Sequence, residues 1–255
     1  MCVTNFTRDI TVPQIKKLAA ELTTAYNLRT VINTDLSLSV DQAYAVQQQK
    51  MQYLEPNPRH WKIGLMNDGE AFIAPIASQD SQRSPANFSE RKFNALHVEA
   101  ELAYRINRDF LPGQSYSEQQ VLAGIDALAV SVEILDSRLH NWQEASETQH
   151  LADNQMNGAV VIGEVLKDWQ NIDYARQKVQ LFINRQLIVE DSGSHPQQDP
   201  RSLLCAGVNQ GTKRGYKLAA GSWIISGTWS GYPRAKAGDY VSVNFLGLGE
   251  ASLQL

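Results

Sequence analysis

Two prolines, Pro56 and Pro58, divide this chain into two textures. Before them, apolar residues recur at helical spacing. After them, short apolar runs alternate with clusters of Gly, Pro, Ser and Asp. Helices follow a period of 3.6 residues and half-buried strands a period of 2, so the change predicts helices first and β-structure second. Thr11 with Gln14, and Ser39 with Gln42, each match a capping box, and Pro13 suits a first helical turn. Ile15, Leu18, Ala19 and Leu22 form one apolar stripe. Ala43, Val46 and Met51 form another, which Gln47 interrupts. Residues 33–39 are the polar break between the two helices.

In the second part, residues 95–106 read as a strand, and 129–135 and 159–162 read as buried strands. Residues 179–189 read as strand, with Asn184-Arg185 at a turn. Ser117 and Gln120 cap a helix expected to contain Val121, Leu122 and Ile125. Asp199-Pro200 opens another, which stops near Gly215. Residues 79–91 are polar and read as a loop. Near the end, Val241, Val243 and Phe245 alternate with Tyr240, Ser242 and Asn244, the pattern of a half-buried strand. The expected class is α+β: a helical segment over 1–60, then a β-rich body over 61–255.

A chain of 255 residues buries roughly 70–75% of its unfolded surface, so its core needs no covalent staples. Its net charge of −4 argues against nucleic acid as a partner, because phosphate binding needs a basic face. No apolar run approaches the ~20 residues of a membrane span. The first nine residues show no basic stretch leading into an apolar one, so the expected location is cytoplasmic. Cys2 and Cys205 fit neither a disulfide framework nor a zinc site, and Cys205 reads as a small core residue. The five histidines show no zinc spacing.

The residues suited to chemistry begin with His97-Val98-Glu99-Ala100-Glu101. On a strand, Glu99 and Glu101 share a face. Two readings stand: a solvated face, or an oxygen-seeking divalent cation that removes the repulsion between the carboxylates. Glu133 lies in the apolar run Ala127–Leu135, and a buried carboxylate requires a cation or hydrogen bonds. Its partner is either a metal shared with Glu99 and Glu101 or a basic residue such as Arg138 or Lys62. Lys62 opens an apparent strand and is either an edge lysine or a group that binds a carboxylate substrate and moves a proton. Asp153-Asn154 and Ser226-Gly227-Thr228 are polar clusters beside apolar strands, read either as donors to an oxyanion or as turn chemistry.

Taken together and in order, these pieces resemble the 2-keto-4-pentenoate hydratase / 4-oxalocrotonate decarboxylase family of the fumarylacetoacetase-like superfamily. The matching pieces are Trp61-Lys62-Ile63-Gly64, Val98-Glu99-Ala100-Glu101-Leu102-Ala103, Asn107-Arg108-Asp109, Val132-Glu133-Ile134-Leu135-Asp136-Ser137-Arg138, Ala152-Asp153-Asn154, Ser226-Gly227-Thr228 and Ala237-Gly238-Asp239. With the helical segment they cover nearly the whole chain. The resemblance implies a C-terminal mixed β-sheet roll. It implies Mg²⁺ or Mn²⁺ held by Glu99, Glu101 and Glu133, with Lys62 near the substrate. It further implies a small 2-oxo or 2-hydroxydienoic acid as substrate, hydration or decarboxylation through an enolate, and a homo-oligomer, with a partner enzyme of the same pathway as a further associate. On this reading Asp153, Asn154, Ser226, Gly227 and Thr228 bind substrate, and Lys62 serves substrate handling more than folding. One departure stands out. The family's Phe-Ala-Asp stretch is nearest to Ile76-Ala77-Ser78, so Ser78 replaces a catalytic acid unless Asp80 stands in for it.

Overall fold

A computed structural model describes residues 10–255; the first nine residues, with Cys2, lie outside it. Helices α1 (Val12–Leu28) and α2 (Val40–Leu54) come first. Both start where the capping boxes predict: Thr11 N donates to Gln14 at 2.8 Å and Ser39 N to Gln42 at 2.9 Å. Strands β1 (His60–Leu65), β2 (Ala71–Ile76), β3 (Ser81–Arg83), β4 (Ala86–Asn87) and β5 (His97–Ile106) follow. Helix α3 (Glu118–Leu122) leads into β6 (Ile125–Leu135), and α4 (Glu147–Ala152) into β7 (Asn157–Leu166). The chain then forms a hairpin, β8 (Lys178–Ile183) and β9 (Gln186–Ser192), then α5 (Pro200–Lys213), β10 (Trp223–Ile225), β11 (Tyr240–Phe245) and β12 (Gly249–Gln254).

Seven strands form one mixed sheet in the order β2-β1-β10-β5-β6-β7-β3, and five form a second in the order β4-β12-β11-β8-β9. This is the α+β class read from the sequence. The sheets meet at Gly163, where a Cβ would stand 2.3 Å from the Glu250 carbonyl oxygen, so only glycine permits this approach. Val98, Ala100, Leu102 and Tyr104 of β5 join the main core with α1, α2 and the second sheet. The opposite face of the large sheet carries a smaller apolar cluster built on Ala103, Ala127, Ala129, Val160 and Ile225.

Three local expectations are corrected. Residues 79–91 hold the short strands β3 and β4, recruited by pairing with β7 and β12 rather than by their own polar sequence. Ile125 begins β6 instead of continuing α3, because Gly124 ends the helical run. Gln47 belongs inside: it is fully buried, donates to the Leu151 carbonyl at 2.8 Å and accepts from the Tyr216 hydroxyl at 2.8 Å. The hairpin turn falls at Asn184 and Arg185, both at positive φ, as a type I′ two-residue turn requires. Cys205 is half-buried against the core. Among the described residues, no helix is long and apolar enough to cross a membrane.

Candidate active site and metal centre

The β5–β6 ladder places Glu99 directly opposite Glu133, and Glu101 opposite Ser131. Directly opposed like charges destabilise a ladder. Yet carboxylate oxygens from Glu99, Glu101 and Glu133 all lie within 4.8 Å of one another, and the three residues are 8%, 1% and 0% exposed. Burial, followed by the charge of Glu133, pushes the Glu99 carboxyl up to about 8. Burial and the charges of Glu133 and Glu99 hold Glu101 well above the usual carboxylate range.

Lys62, on β1, is the cation within reach. Its ammonium donates to both oxygens of Glu133, at 2.7 and 2.8 Å, and to the Gln155 carbonyl at 2.9 Å. Burial works against the charged amine, but Glu133, Glu99 and Glu101 outweigh it and raise its pKa. Asn157 Nδ2 donates to Glu133 at 2.8 Å, and Gly227 N donates to Glu101 at 2.9 Å. Gly227 sits at φ +97, where other residues are strained. Thr228, whose hydroxyl donates to the Gly231 carbonyl at 2.8 Å, lies near enough to Glu99 to work against the rise in its pKa. With all three carboxyls ionised, one ammonium leaves two negative charges, which one divalent cation neutralises. An all-oxygen donor set suits Mg²⁺ or Mn²⁺. The Ser131 hydroxyl opposite Glu101 is buried without a partner, a further oxygen in this polar patch. The residues present therefore fit a hard divalent ion.

The fold gathers Glu99, Glu101, Glu133, Lys62, Gly227 and Thr228. It engages the other expected residues elsewhere. The Ser78 hydroxyl donates to Glu55 at 2.7 Å on an exposed surface. Asp80 accepts from the Tyr26 hydroxyl at 2.6 Å and from Arg91 at 2.5 Å. Neither makes a hydrogen bond or ion pair with the carboxylate cluster among the described residues. Asp153 is fully buried and accepts from Arg138 Nε at 2.7 Å, Arg138 N at 2.9 Å and Lys50 at 3.3 Å. Asn154 donates to the Pro75 carbonyl at 2.7 Å, and Ser226 Oγ to the Leu102 carbonyl at 2.9 Å. Asp153 ties α2 to the segment after β6, and Asn154 and Ser226 each hold a loop against a strand. The expectation that Lys62 matters little to folding also changes, because its amine is the partner of a buried carboxylate.

Sequence reading gave Gln155 and Asn157 no role, and His97 none beyond opening the Glu99–Glu101 motif. Gln155 contributes a backbone carbonyl, presented by three successive residues at positive φ, Asn154, Gln155 and Met156. His97 stands on the face of Glu99, its ring edge-on to Trp142 and Tyr232. Burial and the neighbouring Arg234 charge hold its pKa below the usual value.

The pattern of the fumarylacetoacetate (FAA) hydrolase C-terminal family matches residues 38–255, which includes every residue of this site. The chain belongs to that family. Among curated relatives, it is 31% identical over 157 residues to a 2-hydroxyhexa-2,4-dienoate hydratase of Comamonas testosteroni, a stretch covering 62% of this chain and 59% of that one. It is 25% identical over 234 residues to 2-keto-4-pentenoate hydratase 1 of Dechloromonas aromatica, covering 83% and 84%. Among solved structures of the family's fold, 4-oxalocrotonate decarboxylase from Pseudomonas putida G7, complexed with magnesium and adipate, superposes with a TM-score of 0.84. At 20% identity, that match covers 96% of this chain and 98% of the other.

Proposed function

We propose that this protein is a divalent-metal-dependent lyase that hydrates a 2-hydroxy-2,4-dienoate to a 4-hydroxy-2-oxo acid. The observation that carries this reading is the buried cluster of Glu99, Glu101 and Glu133 with Lys62 at its edge. The names of the hydratase relatives support it. Glu99, Glu101 and Glu133 would hold Mg²⁺ or Mn²⁺. Magnesium in the related decarboxylase structure supports a divalent ion of this kind. When bound, the ion supplies Lewis-acid stabilisation of charge building on the substrate's carboxylate and 2-oxo oxygens.

The chain's own residues do the rest. Gly227 N fixes Glu101, and Asn157 fixes Glu133. Lys62 Nζ binds the acid end of the substrate and holds a proton beside the carbon skeleton, where general acid–base transfer occurs. Ala103, Ala129 and Ile225 keep the floor apolar and exclude water. A homo-oligomer, a partner enzyme of the same pathway and a cytoplasmic location belong to the same reading.

One observation favours a second reading, decarboxylation of a 2-oxo diacid on the same residues. Water addition needs an acid or base near the far alkene, and Ser78 and Asp80 are tied to Glu55 and to Tyr26 with Arg91. Loss of CO₂ needs no such group. A relative named 4-oxalocrotonate decarboxylase, 25% identical over 155 residues, agrees with it. The test follows the dienol absorbance of a 2-hydroxy-2,4-dienoate with and without Mg²⁺, alongside CO₂ release from a 2-oxo diacid. Mg²⁺-dependent loss of dienol without CO₂ supports the hydratase; CO₂ release without hydration supports the decarboxylase. Activity on neither rejects both.

A further inference from the structure

The face of β5 that carries Glu99 and Glu101 also carries His97. Two residues of strand place His97 about 7 Å from Glu99. Across from His97 stands Arg234, its partner in an antiparallel bridge. The flanking bonds run from Val98 N to the Pro233 carbonyl at 3.0 Å and from Ala235 N to the Leu96 carbonyl at 3.2 Å. That pattern makes His97 and Arg234 a non-hydrogen-bonded pair. Such pairs bring their Cα atoms to about 4.5 Å and send both side chains to one face. Arg234 therefore projects from the carboxylate face, beyond its outer end.

Arg234 is exposed and forms no ion pair among the described residues. The groups around His97 are rings: Trp142 at 5.4 Å and Tyr232 at 6.0 Å between centroids. His97 Nδ1 is buried without a partner. Three rings thus cluster at His97, between Glu99 two residues along β5 and the unpaired guanidinium of its bridge partner. Its planar fork matches a carboxylate through two parallel hydrogen bonds.

We propose that Arg234 binds a distal carboxylate of the substrate, with Trp142, His97 and Tyr232 lining the chain between, so that this site takes a dicarboxylate in preference to a monoacid. The proposal rests on the function above, because it sets the 2-oxo acid end at the three glutamates.

Calorimetric titration of the Mg²⁺-loaded protein with 2-oxoadipate and 2-oxohexanoate tests it. The two acids have the same chain length and differ in the distal charge. Wild type should bind 2-oxoadipate about tenfold or more tightly than 2-oxohexanoate, as expected for a charge-assisted bidentate contact. Arg234→Gln should bring that ratio close to one and leave 2-oxohexanoate affinity and melting temperature unchanged. Arg234→Lys should retain part of the ratio, since lysine supplies charge without the fork. Equal affinities in wild type, or a ratio unmoved by Arg234→Gln, overturn the proposal and leave the metal-dependent function standing. Binding of neither acid overturns both.

Discussion

Lys62 donates to both carboxylate oxygens of Glu133, at 2.7 and 2.8 Å, across a buried gap between β1 and β6. Removing one partner of such a pair strands the other charge, at a cost of about 3–5 kcal/mol. Lys62→Met should therefore lower the metal-free melting temperature as well as abolish turnover. Added Mg²⁺ should recover part of that stability, since it supplies the missing positive charge. An unchanged melting temperature in denaturation with and without Mg²⁺ would show that the pair contributes nothing to the fold.

Glu101→Gln should act in the opposite sense on the metal-free protein. The glutamine keeps the shape and removes a carboxyl whose ionisation is opposed by burial and by the charges of Glu133 and Glu99. Metal-free Glu101→Gln should be at least as stable as metal-free wild type, whereas wild type alone should gain stability from Mn²⁺ by mass action. Calorimetric titration with Mn²⁺ checks this directly. Equal Mn²⁺ affinity in the variant would remove Glu101 from the metal site.

His60 sets a pH dependence. Burial chiefly, with the charges of Arg59 and Arg83, pushes its pKa down to about 4 against the opposing pull of Glu55. The unfolded chain takes up this proton near pH 6.5 while the folded chain does not. Stability is thus intact above about pH 6.5 and falls toward pH 4, by at most about 3 kcal/mol from this group. His60→Gln should flatten that stretch of the stability–pH curve measured by urea unfolding. A curve of unchanged slope would exonerate His60.

Asp153 should be worth more than any exposed ion pair. Burial alone would raise its pKa, but Arg138 and Lys50 outweigh it and hold the carboxyl below the usual range. Asp153→Asn leaves two buried cations facing a neutral amide and should cost about 3–5 kcal/mol. By contrast, Ser78→Ala, on an exposed hydrogen bond to Glu55, should cost about 1 kcal/mol or less and leave turnover within about twofold of wild type. Urea unfolding and steady-state rates of the two variants test the contrast. A collapse of turnover in Ser78→Ala would return Ser78 to the catalytic machinery.

Sequence alone reveals side chains with strong local signatures. Period-2 alternation puts Glu99 and Glu101 on one face, an apolar run marks Glu133 as buried, and the capping boxes at Thr11 and Ser39 locate both long helices. What it hides is supplied by backbone or by distant pairing. The Gln155 carbonyl depends on a left-handed run of three residues, none of them glycine. Asp153 looks like a polar loop residue until Lys50, 103 positions earlier, arrives beside it. Ser78 and Asp80 look equally suited to replace an acid, because nothing local reports that Glu55 and Tyr26 hold them.

The reach of Lys50 from α2 to Asp153 also bears on how this protein can descend and diversify. The change of texture at Pro56 invites a view of two pieces joined end to end. A descendant that shed the helices, or exchanged them with a cousin, would inherit Asp153 short of one of its two cationic partners in a dry interior. The two parts are therefore bound to be passed on together, and substitutions at Lys50 and Asp153 should be found as matched pairs.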